Sequence, residues 1–161
     1  MLHYKNRVQQ LLLLHPIQIL VVFLFCSIVI SFAFSVVYDY FGIDAKKDVQ
    51  DVFQNKLLSK FYLSVILAPI VETFILTIIP FYVLKKLSVT NSYFIVFLLS
   101  FIFAIAHTYS IYYIVFAFIS GLFFNLFFMI IENKTNLKTA FIYTAIFHSL
   151  YNLFAFIMNT I

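Results

Sequence analysis

The chain has 161 residues, of which 65% are hydrophobic and only 10% charged, with a mean hydropathy of +1.08. Soluble domains carry about 25% charged residues, so this composition excludes a water-soluble globular fold and indicates a polytopic membrane protein. The net charge of +4 does not point to nucleic acid. The lysines stand between apolar runs, where anionic lipid headgroups account for them.

A membrane-crossing helix needs about 20 predominantly apolar residues, and the charges divide the chain into five such runs. The first, Pro16 to Tyr40, opens on a proline suited to a first helical turn and is too long for the core of a signal peptide. Its Cys26 is the only cysteine and reads as a small buried hydrophobe. A polar segment, Asp44 to Lys60, follows. Within it Val49, Val52, Phe53, Leu57 and Leu58 recur at three- and four-residue spacing, which predicts a short interfacial amphipathic helix.

The second run, Phe61 to Leu84, contains Pro69 and Pro80, residues that membrane helices tolerate and that bend their axes. The third covers Asn91 to His107 and the fourth Ile111 to Ile131. A polar turn, Glu132 to Asn136, precedes the fifth, Thr139 to Ile157. The expected fold is all-α, a polytopic membrane helix bundle of about five transmembrane helices forming one domain over residues 1–161. Lys5, Arg7, Lys85, Lys86, Lys134 and Lys138 fall on one side, against Lys46, Lys47, Lys56 and Lys60 on the other. The positive-inside rule then places the N-terminus in the cytoplasm.

Glu72 is the carboxylate that lies deep inside an apolar run, in Ala68-Pro69-Ile70-Val71-Glu72. An ionisable group at that depth is costly and marks a functional site. Two histidines also sit in apolar runs. His107 follows Phe103 by four residues, and His148 precedes Asn152 by four, so each pair shares one helical face. A glutamate with a histidine polarises water for attack on a peptide carbonyl, while a second histidine and an amide donate to the developing oxyanion. That chemistry needs no cofactor and no covalent nucleophile. Ser120 and Ser149 stand in no nucleophile motif. The bland reading makes Glu72 a structural carboxylate bonded across the bundle. A metal-dependent reading assigns Glu72, His107 and His148 to Zn²⁺, although neither histidine has His-Glu-x-x-His spacing. Asn125 reads as a bond to a neighbouring helix, Gly121 as a point of close helix approach, and His3 and His15 as interfacial residues.

The order Ala-Pro-x-x-Glu, Phe-x-x-x-His, His-x-x-x-Asn resembles the CPBP intramembrane glutamic proteases, also called Abi or CAAX-protease-like. The resemblance covers about residues 67–154, and Phe118-x-x-Gly121 fits it. It implies that Glu72 and His107 activate water and that His148 and Asn152 stabilise the oxyanion, within an all-helical bundle enclosing a polar cavity. The chain departs from the family's Glu-Glu-x-x-x-Arg motif: Thr73 stands at the second glutamate and Thr77 at the arginine. Threonine hydroxyls or water are then expected to hold Glu72. The extra helices of the eukaryotic enzymes are missing, so processing of prenylated CAAX substrates is not carried over. The implied function is an endopeptidase of the bacterial inner membrane acting on a peptide or membrane-protein segment, with the lipid bilayer as its surroundings and no nucleic acid. The alternative is a catalytically degenerate membrane interaction or bacteriocin-immunity protein. Nothing in the sequence demands an oligomer.

Overall fold

In the computed structural model, which describes residues 14–42 and 57–160, Pro16 opens the first helix as its position suggests. His15 closes a capping box there: its ring accepts from the Ile17 N–H, and Gln18 Oε1 accepts from the His15 N–H at 2.8 Å. Helix α1 runs Pro16–Tyr40, α2 Leu57–Lys86, α3 Ser92–Ile105, α4 Ile111–Lys134 and α5 Leu137–Thr160. Among the described residues there is no strand. The amphipathic segment over residues 44–56 lies outside the described residues, as do His3, Lys5, Arg7, Lys46, Lys47 and Lys56. Leu57 to Lys60 already belong to α2.

Side-chain caps set the later starts. Asn91 Oδ1 accepts from the Tyr93 and Phe94 N–H groups, Ser110 Oγ from Tyr113, and Asn136 Oδ1 from Thr139. Each satisfies donors that a helix leaves orphaned at its first turn.

Four helices, α1, α2, α4 and α5, are long and apolar enough to cross a membrane. The third is shorter than its apolar run suggests. At 14 residues it extends about 21 Å, against a hydrocarbon core of about 30 Å. Glu72 stands about 14 residues before Lys86 on α2, again about 21 Å along the axis. The short helix therefore carries His107 to the depth of Glu72.

Helix α2 owes its path to its prolines. A proline has no N–H, and its ring clashes with the carbonyl four residues earlier. Before each one the helix widens into a π stretch, at Tyr62–Leu67 and at Thr73–Ile78. There the Ala68 N–H reaches Leu63 O and the Ile79 N–H reaches Phe74 O, five residues back. The widening has a consequence for facing. Val65, Pro69, Thr73, Thr77 and Phe81 are all buried at strict four-residue spacing. On a regular α-helix such a stripe would turn by about 40° at each step. Alternating wide and regular turns keeps it against the bundle, with Glu72 beside it.

The core is aromatic. Phe127, Phe128 and Phe147 are fully buried, and Phe23 of α1 packs against Phe123, Phe127 and Phe147 at 5.6–6.4 Å between ring centroids. Outside it, residues such as Val21, Phe25, Phe74 and Phe101 are exposed, an apolar surface suited to lipid. Gly121 lets α4 approach α3 closely: a Cβ there would lie 3.2 Å from Ser100 Cα. One turn on, Asn125 joins three helices, as the reading of a neighbouring-helix bond anticipates. Its Oδ1 accepts from Thr77 Oγ1 at 3.0 Å, and its Nδ2 donates to Ser100 Oγ and to Gly121 O. Interhelical hydrogen bonds in membranes are each worth about 0.6 kcal/mol, up to about 1.7. Asn125→Leu is expected to destabilise the fold by about 1–2 kcal/mol, read as a lower thermal midpoint in detergent. An unchanged midpoint would show that the junction contributes nothing.

Candidate active site

Glu72 is the last residue of the regular segment Ala68–Glu72 between the two π stretches. One of its oxygens, Oε2, faces two imidazoles, with His107 Nε2 at 3.6 Å and His148 Nε2 at 3.7 Å. Residues from α2, from the end of α3 and from α5 thus meet at one point.

Each ring is held by its surroundings. His107 Nδ1 lies 2.7 Å from Phe103 O. A carbonyl can only accept, so Nδ1 carries a proton, and in the neutral ring Nε2 is left as the acceptor that faces Glu72. The Phe103 ring packs on the His107 ring at 4.5 Å, which gives the Phe-x-x-x-His spacing its physical content. His148 is 4% exposed and lies against Phe124 at 4.6 Å and Phe103 at 5.7 Å. The two carboxylate–imidazole distances exceed a direct hydrogen bond and lie within ion-pair reach.

Glu72, His107, His148 and Asn152 line one cavity of about 480 Å³. Asn152 is directed differently from the other three: its Nδ2 donates to Ser64 O on α2 at 2.9 Å. The expectation that threonine hydroxyls hold Glu72 is not met at Thr77, whose hydroxyl goes to Asn125. Among the described residues, no group of three His, Cys, Asp or Glu side chains is arranged to hold a metal ion.

Two tyrosines that no sequence motif singles out also line the wall. Tyr113 lies 6.0 Å from the His107 ring. Tyr151 hydrogen-bonds Ser31 of α1 and reaches the cavity together with Ser64 and Ser120. Tyr151 carried a signal, since it lies between His148 and Asn152 in one polar patch. Tyr113 carried none that separates it from its ten fellow tyrosines.

The exposed lining residues of the cavity lie on the first half of α2 and just before α4. The first half of α2 packs chiefly on α5. Lining residues Leu67, Val71 and Tyr109 are 40–45% exposed, so the rim is apolar and faces outward.

No curated protein and no solved structure matches the chain. The family described as type II CAAX prenyl endopeptidase Rce1-like matches residues 54–154, a stretch that contains all four residues above and most of the chain. On that match, with four helices able to cross a membrane, the chain is an integral membrane protein belonging to the Rce1-like type II CAAX prenyl endopeptidases, a family of proteases.

Proposed function

We propose that the protein is a glutamate-dependent intramembrane endopeptidase of the bacterial cytoplasmic membrane, cutting a peptide or membrane-protein segment that enters between α2 and α4. The observation that supports this reading is one carboxylate oxygen facing two histidine Nε2 atoms within 3.7 Å inside a cavity. A water lodged among these groups gives its proton to Glu72, with His107 Nε2 accepting a hydrogen bond and orienting it. The water oxygen adds to the peptide carbonyl carbon, and the tetrahedral oxyanion is met by His148 Nε2–H and by the second N–H of Asn152. Collapse breaks the C–N bond. The leaving amine takes the proton from Glu72, which returns to its starting state. Water is consumed, and no acyl-enzyme forms.

The test is cleavage of dye-labelled transmembrane peptides by the purified chain in liposomes. The expected result is cleavage that persists in chelator and in the presence of serine- and cysteine-directed reagents. Loss of cleavage in chelator with recovery on adding Zn²⁺ would assign the reaction to the metal-dependent reading. Binding of peptides without cleavage would support the interaction or immunity protein.

A further inference from the structure

The geometry points to Asn152 as a positioning residue that completes the α2 backbone where Pro69 breaks it. The π stretch at Tyr62–Leu67 sets the hydrogen-bond pattern. There the Ala68 N–H bonds to Leu63 O, five residues back. Continuing that pattern, the next donor belongs to residue 69 and the next acceptor is Ser64 O. Residue 69 is proline and has no N–H. The carbonyl left over is the one that Asn152 Nδ2 takes, at 2.9 Å, from 88 residues away. An orphaned carbonyl at membrane depth is costly, and here the donor comes from the neighbouring helix.

The link has a mechanical consequence. Ser64 sits in the widened turn, and Glu72 follows two turns later at the end of the segment Ala68–Glu72. Asn152 lies one turn beyond His148 on α5. The Asn152–Ser64 bond therefore ties the helix bearing Glu72 to the helix bearing His148. The Ala-Pro-x-x-Glu and His-x-x-x-Asn motifs become two halves of one contact. Only one of the two amide hydrogens is used, so a role for the other toward substrate is retained.

A double-mutant cycle separates this from a purely oxyanion-directed asparagine. In Pro69→Ala the backbone N–H returns, and Ser64 O finds a helical donor in either a wide or a regular turn. Asn152→Ala alone is expected to lower the thermal midpoint by about 3 °C and kcat by about 10–100-fold. In the Pro69→Ala background the same change is expected to leave the midpoint nearly unmoved and to cost less kcat than it does alone, the remaining loss being that of the oxyanion donor. A backbone N–H added on another helix cannot replace an oxyanion donor. Equal losses of midpoint in both backgrounds overturn the proposal, as does a kcat loss of the same size in both. Should Pro69→Ala not fold, Asn152→Leu decides: a side chain of similar volume with no donor must lower the midpoint as Asn152→Ala does, and a midpoint equal to that of the unaltered protein refutes the contact. The kinetic arm rests on the protease reading above, whereas the midpoint arm stands without it. An inactive wild type with a coupled midpoint would sink the former alone.

Discussion

Glu72→Gln is expected to reduce kcat by about 10³-fold, with expression and thermal midpoint close to those of the unaltered protein. Glutamine keeps the volume of the side chain and a carbonyl oxygen where Oε2 faces the two Nε2 atoms. It has no basicity, so water can no longer pass a proton to this position. Stability has little reason to fall, because the change removes an ionisable group from a membrane helix, where such groups are costly. The same logic governs combinations. In the proposed reaction His107 holds the same water, so adding His107→Ala to Glu72→Gln should cost little further rate, as expected for groups that work as a unit. Peptide cleavage in liposomes, read beside the thermal midpoint in detergent, checks both. A purely structural carboxylate gives the opposite pattern, with a lowered midpoint and a rate near that of the unaltered protein.

The second large effect belongs to Gly121, far from any proton. A Cβ at this position would lie 3.2 Å from Ser100 Cα and 3.3 Å from Ser100 O, both backbone atoms of α3. Backbone cannot swing aside as a side-chain tip can. The third neighbour, Phe103 Cδ1 at 3.3 Å, belongs to the residue whose carbonyl fixes His107. Gly121→Leu adds three further carbons to that conflict and forces α3 away from α4. Overpacking of this kind costs about 1–3 kcal/mol, and a catalytic group misplaced by about 1 Å loses about 10²-fold in rate. Gly121→Leu is thus expected to lower both midpoint and kcat, while Gly121→Ala, which asks for only a small shift, does so far less. A leucine variant with an unchanged midpoint and rate would show that the close approach is not needed.

Much of this arrangement was legible in the sequence, and the reasons differ by element. The ends of α1, α4 and α5 follow the apolar runs within a few residues because charge at membrane depth is costly. Glu72 stood out for the same reason. The shortness of α3 was not legible. The run from Asn91 to His107 sits at the lower limit for a crossing helix, and its end is set by the Ser110 cap and by the His107 ring turning back onto Phe103. Pro69 and Pro80 signalled a bend but not the π stretches. The four-residue stripe Val65, Pro69, Thr73, Thr77, Phe81 was the available clue, since a regular helix cannot bury it along one face. The partners of Thr77 and Asn152 could not be read at all. Each is a contact between distant segments, 48 and 88 residues apart, and spacing within a helix carries no trace of it.

Everything proposed for the site requires that Glu72 meets His107 and His148 around one cavity. Cysteine pairs test it most directly: Glu72→Cys with His107→Cys, and Glu72→Cys with His148→Cys, in a Cys26→Ala background, treated in native membranes with the shortest bifunctional thiol reagents. Both pairs are expected to cross-link efficiently, while Glu72→Cys paired with Ile146→Cys, on the exposed face of α5, is not. Cross-linking of the control alone, or of none of the three, would mean that these helices do not converge on Glu72, and the catalytic reading would fall with them.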